Sequence, residues 1–207
     1  MLKAGFINEA KKYLEKDISR YNKDGIIHQL FVFYGLKPVS TFGIKEKDRE
    51  MQIKICDLLG LVNKIQKTND YGYSEMIVSK NFDLIKKYLN IDKEFNKNED
   101  INKEFGLIHG YTKSAINEFI KSYQEKRPIK FWTDALSRKI IPYELVIAWQ
   151  ATGMIPASYN DKESLRYAKK VIVLLDKIDP HLKKYYLDKG RKELESDAKA
   201  AVMVWKE

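Results

Sequence analysis

The chain has 207 residues, of which 44% are hydrophobic, 32% charged and 12% aromatic, a balance that belongs to a packed globular protein and excludes a disordered tail. Its formal net charge of +9 predicts a positive surface field suited to nucleic acid, anionic lipid or an acidic partner, although a lysine-rich bias beside abundant Ile, Asn and Tyr is also a product of genome composition. The single cysteine, Cys56, excludes an intrachain disulfide and the cysteine-rich zinc sites.

Met1-Leu-Lys-Ala-Gly-Phe runs straight into an amphipathic pattern, so no signal peptide is expected. Ala10, Tyr13, Leu14, Ile18 and Tyr21 predict a first helix from about Asn8 to Tyr21, which Asn22-Lys-Asp-Gly25 then breaks. Ile26 to Tyr34 is open between strand and short helix, and Val39 to Ile44 reads as a strand. Lys45 to Lys67 reads as one long helix, because Met51, Ile55, Leu58, Leu59, Val62 and Ile65 form a single apolar stripe, with Gly60 as a point where it shortens or bends. Cys56 falls on or beside that buried face, where it is expected to behave as a small hydrophobe rather than a nucleophile.

Tyr73 to Ser79 is a second predicted strand, and Asp83 to Leu89 a helix with Asn81 as its N-cap. Asn90 to Glu104 is polar and locally acidic, and reads as a surface connection. The expected organisation is therefore α+β: a small strand-helix-strand-helix lobe over 1–92, a polar connection over 93–104 and a mainly helical lobe over 105–207, all within reach of one compact domain. Helices are expected at about Lys113 to Gln124, Phe131 to Lys139, Pro142 to Gln150, Lys162 to Ile178 and Tyr185 to Trp205. Apolar runs such as Val171 to Leu175 fall far short of the roughly 20 residues a bilayer span needs, so a soluble, cytoplasmic protein without a membrane partner is expected.

Two turn-to-helix segments stand out. In the first, Gly106 and Gly110 bracket Leu107-Ile-His109, and Thr112 stands where an N-cap belongs before Ala115, Ile116, Phe119 and Ile120. Such a helix start presents free backbone N–H groups beside Lys113 and Ser114, a geometry that holds phosphate or carboxylate. Tyr111 and Thr112 separate Gly110 from Lys113, which excludes a P-loop. The plain alternative is an ordinary capped helix. In the second segment Pro142 opens a helix, Gly153-Met-Ile-Pro156 is extended, and Ser158, Asn160 and Asp161 offer caps for a helix containing Ser164, with Asn160 and Glu163 as a capping box. The chain has only three histidines, His28, His109 and His181, in distant segments, so no metal site and no cofactor are expected.

Gly110-Tyr111, Ala115-Ile116 and Phe119, followed by Pro156, Ser158 and Ser164, resemble the DUF483 family of uncharacterised, chiefly archaeal proteins over about Lys37 to Ile178. In that family the first motif often reads Gly-Tyr-Pro-x-Cys-Cys and the second His-x-Pro-Cys-Ser-x-x-Cys-x-x-Ser. Here Thr112 stands at the proline position, Ser114 and Ala115 at the cysteines, Met154 at the histidine, and Ala157 and Asp161 at the later cysteines. The resemblance implies that the two motifs lie near each other. It does not carry over any metal or thiol chemistry, since every soft ligand is replaced.

From Lys121 to Trp132 the cations Lys121, Lys126, Arg127 and Lys130 are interleaved with Tyr123, Phe131 and Trp132, a pairing that suits single-stranded nucleic acid unless the rings belong to the core. The leading expectation is a binding protein for an anionic partner, nucleic acid first. Thr112, Lys113, Ser114, Lys121, Lys126 and Arg127 would bind the anion, and Tyr111 or Trp132 would stack. One rival is an enzyme or small-ligand protein whose His109, Tyr111 and Ser158 line a cleft, with His109 as acid or base. Another is a structural subunit that self-associates through the apolar stripe Ala198, Ala201, Val202 and Trp205 of its last helix.

Overall fold

Three strands alternate side chains between two helical layers. β1 (Val39–Lys45) and β2 (Val62–Lys67) both pair antiparallel with β3 (Tyr73–Ser79), giving the order β1-β3-β2, with Val39 and Val62 each opposite Ser79. The period of two sends Ser40, Phe42, Ile44, Met76 and Val78 to one face and Val39 and Ile77 to the other. On the first face lies α1 (Arg20–Phe33), whose Ile26, Ile27, Leu30 and Phe31 are buried. His28 on that helix stacks on Phe42 at 5.8 Å and places its Nδ1 2.7 Å from Ser40 Oγ. On the second face α3 (Phe82–Glu94) and α4 (Glu99–Ile108) complete a core of Val39, Ile77, Ile85, Tyr88, Ile91 and Ile108.

The computed structural model describes residues 20–67, 73–122, 143–152 and 160–178, together with positions 8, 12, 154, 156, 158, 180, 183–185, 187, 188 and 192. The expected helices at Phe131 to Lys139 and around Ala198 to Trp205, and all but two positions of the one before Arg20, lie outside the described residues. The α+β class holds, and among the described residues the strands lie in the N-terminal half.

Local chemistry accounts for three departures from the sequence pattern. The break expected at Asn22 to Gly25 is absent, and α1 runs through it. Gly25 is there for proximity rather than to end a helix, because a Cβ at that position would lie 2.8 Å from the Phe42 ring and 2.9 Å from the Gln52 amide. The ambiguous stretch from Ile26 is therefore helix. The single helix expected over Lys45 to Lys67 is instead a 3-10 turn (Glu46–Asp48), α2 (Arg49–Leu58) and strand β2. Gly60 makes the separation: at φ +63 its N–H bonds Asp57 C=O while Leu61 N–H bonds Cys56 C=O, the paired closure of a Schellman motif. Val62 and Ile65 thus continue an apolar period in a different backbone state.

The polar stretch 93–104 is mostly helical. Asn98 caps α4 by accepting the Ile101 N–H at 3.0 Å, and Ile101 and Phe105 pack on the sheet core. Internal contacts divide the chain later, into Met1–Gly110 and Tyr111–Glu207.

In the second unit, α5 (Lys113–Ser122), α6 (Tyr143–Thr152) and α7 (Lys162–Ile178) form the described framework. Leu145, Val146, Ile147, Ala148 and Trp149 are all buried, so α6 is enclosed around its circumference, and α7 packs against both α6 and α5. Among the described residues no helix is long and apolar enough to cross a membrane.

Candidate functional site

The two sequence motifs meet within the second unit. Thr112 caps α5 by accepting the Ala115 N–H at 3.3 Å, and its Oγ1 lies 3.2 Å from Ser164 Oγ on α7 and 3.8 Å from Met154 Sδ. Asp161 caps α7 by accepting the Ser164 N–H at 3.0 Å and the Glu163 N–H at 3.4 Å. Ser114 joins the two ends: its Oγ donates to Asp161 at 2.6 Å and its N–H to Glu163 Oε2 at 3.2 Å. Trp149 seals the floor by donating its indole N–H to Ser164 C=O at 2.8 Å.

This geometry changes what the helix start at Thr112 to Ser114 can do. Two helix N-termini, each with a partial positive charge, converge on the carboxylates of Asp161 and Glu163. Burial alone would raise the Asp161 carboxyl, but hydrogen bonds from Ser114, Ser164 and the Glu163 N–H outweigh it and hold the group below its usual range. The N–H that was expected to receive a phosphate already donates to a carboxylate, and an incoming phosphate would meet two negative charges. Thr112 and Ser114 are framework. Asp161, rather than Asn160, is the cap.

Lys113 and Lys121, at the two ends of α5, are exposed. Lys126, Arg127 and Trp132 lie outside the described residues. Tyr111 is half-buried, its phenol pushed up to about 12 by burial, and Ser158 is exposed while its C=O accepts the Asp161 N–H at 3.2 Å.

His109 belongs to the first unit. As the C-cap residue of α4 it packs 4.5 Å from the Phe105 ring and edge-on to Tyr88 at 5.5 Å, and it is 7% exposed. Burial, then the positive charge of Lys37, push the imidazole down to about 3, so it stays neutral through the range where an acid-base catalyst must change charge. Lys37 is itself buried and pushed down to about 8 by that burial. Gly110 makes this enclosure possible, because its φ is +76 and a Cβ there would stand 2.7 Å from Leu36 C=O. Cys56 is fully buried, and burial first, with the Asp57 charge second, pushes its thiol up to about 12. Such a thiol is not a nucleophile at neutral pH.

Sequence reasoning found both motifs and the Thr112 cap but missed Glu163 as a partner of Ser114 and missed the buried Lys37 beside His109. Among the described residues no group of three or more His, Cys, Asp or Glu is placed to hold a metal ion. No family model, no curated protein and no solved structure matches this chain.

Proposed function

We propose that this chain is a binding protein for an anionic partner, with nucleic acid as the first candidate. The observation that carries the reading is how charge is divided. Tyr111–Glu207 holds nineteen Lys and Arg against thirteen Asp and Glu, whereas Met1–Gly110 holds nineteen against sixteen, so two thirds of the net positive charge belongs to the helical unit. A field of one sign over one unit draws polyanions and speeds their encounter. Lys113, Lys121, Lys126 and Arg127 contribute to that field, while the start of α5 serves as framework. The enclosure of His109 removes the acid or base that the rival catalytic reading named. The DUF483 likeness adds no activity to this reading.

The test is binding of labelled single-stranded and duplex RNA and DNA across a series of salt concentrations. Affinity that falls steeply with salt, beyond that of a protein of equal net charge, is the expected result. No binding at low salt would sink the reading.

A further inference from the structure

One face of α7 gathers positive charge with no acid inside it. Lys162, Arg166, Lys169, Lys170 and Lys177 are all exposed, while Ser164, Tyr167, Ala168, Val171, Leu175 and Ile178 are buried. At about 100° per residue the five cations fall within an arc of about 100°, and at 1.5 Å per residue they extend along about 22 Å of helix. The only other residue in that arc is Val173, 66% exposed.

The two exposed acids of the helix are engaged elsewhere. Glu163 accepts the Ser114 N–H at the start of α5, and Asp176 pairs with Lys183 at 3.6 Å. Lys162, Arg166, Lys169 and Lys170 make no ion pair with any described residue. The solvent face of α3 shows the contrast, since its Lys86 pairs with Asp83 at 3.6 Å and its Lys87 with Glu104 at 3.5 Å. The solvent face of α3 mixes its signs, whereas the arc of α7 holds cations and Val173 alone, with Glu163 and Asp176 at its borders.

We infer that the exposed face of α7 is a docking surface for the phosphate backbone of a nucleic-acid duplex, which it contacts without reading sequence. This rests on the nucleic-acid reading above and gives it a surface and a class of ligand. Charge complementarity selects a polyanion, and the shape of the face selects among polyanions. A straight row of cations about 22 Å long on a rigid rod suits a duplex, which presents one phosphate charge per about 1.7 Å of its axis. Single strands are gripped by aromatic rings on which bases stack, and this face has none. It also has no Asn or Gln to pair with a base edge, so its contacts position the duplex without specifying it.

The experiment compares the full chain with two variants of equal net charge, Arg166→Gln/Lys169→Gln/Lys170→Gln on α7 and Lys47→Gln/Lys54→Gln/Lys64→Gln on the first unit, each with an unchanged thermal midpoint. Binding to a random-sequence duplex, to a single strand and to vesicles containing phosphatidylserine is followed against salt. The α7 variant is expected to lose at least tenfold in duplex affinity, and the slope of log affinity against log salt is expected to fall by about 0.9 for each lost contact. The first-unit variant is expected to stay near the parent. Duplex binding with the parent affinity and slope in the α7 variant overturns the inference and leaves the nucleic-acid reading standing. Tighter binding to single strands, or binding to vesicles alone, overturns the choice of a duplex, and absence of all nucleic-acid binding by the parent overturns both.

Discussion

In Met1–Gly110 the reactive side chains are turned inward, whereas in Tyr111–Glu207 the described cations stand on the outside of a helix. His109 is enclosed beside aromatic rings, Lys37 is buried, Gln29 donates to Gln52 at 2.7 Å between two helices, and Cys56 is sealed in the core. By contrast Lys162, Arg166, Lys169 and Lys170 on α7 are exposed. The difference separates two uses of polarity. The buried His109 of the first unit couples stability to pH, and on the reading proposed above the exposed charges of the second draw the partner.

The strongest way to break the comparison is Gly110→Ala. It forces a side chain into φ +76 and against Leu36 C=O at 2.7 Å, so a loss of about 3 kcal/mol is expected in urea unfolding. Gly60→Ala, at φ +63 with nothing within 4 Å of its added Cβ, should lose only about 1 kcal/mol. Equal losses would mean that the close approach around His109 contributes nothing.

Next in size is the acid response of His109. The unfolded chain takes up this proton near pH 6.5, whereas the folded one does so only near 3, so the stabilisation is present above 6.5 and is lost as pH falls toward 3. By pH 5 the loss should reach about 2 kcal/mol relative to a His109→Gln variant, measured as the difference between their unfolding curves. Parallel curves from pH 7 to pH 5 would show that the imidazole is not held neutral.

Smaller effects sharpen the second unit. Asp161→Ala removes the cap of α7 and the partner of Ser114, and should cost about 1 kcal/mol of stability while leaving duplex affinity within twofold. Because the folded Asp161 pKa is depressed, its contribution is present above the ordinary carboxylate range and is lost as pH falls through the folded value. Glu163→Gln keeps an acceptor for the Ser114 N–H and should change the unfolding free energy least of all, by no more than a few tenths of a kcal/mol in urea unfolding. A large drop in affinity in either variant would put the ligand at the junction rather than on the α7 face.

How much of this was legible in the sequence depended on how far apart the interacting residues lie. The bounds of α7, Lys162–Ile178, could be read because a long apolar stripe begins just after polar capping residues. The caps at Asn81 and Thr112 act within three residues and were also legible. Strand β2 was not, since Val62 and Ile65 fall on the helical period set by Met51 to Leu59, and only the backbone reversal at Gly60 divides them. Gly25 misled because its reason is a contact with Phe42 and Gln52 in other elements. At the candidate site the two segments were visible as motifs, and only their resemblance to a family pattern suggested that they meet. The hydrogen bonds from Ser114 to Asp161 and Glu163 span 47 and 49 residues, and no local pattern encodes them.

The junction of α5 and α7 has a consequence in time. Thr112 protects the first turn of its own helix and touches Ser164, while Asp161 protects the first turn of its own helix and holds Ser114. A helix end normally frays by itself, but here releasing either end removes a partner from the other. The amides of Ala115 and Ser164, though 49 residues apart, should therefore exchange with deuterium at a shared rate, as one opening event rather than two.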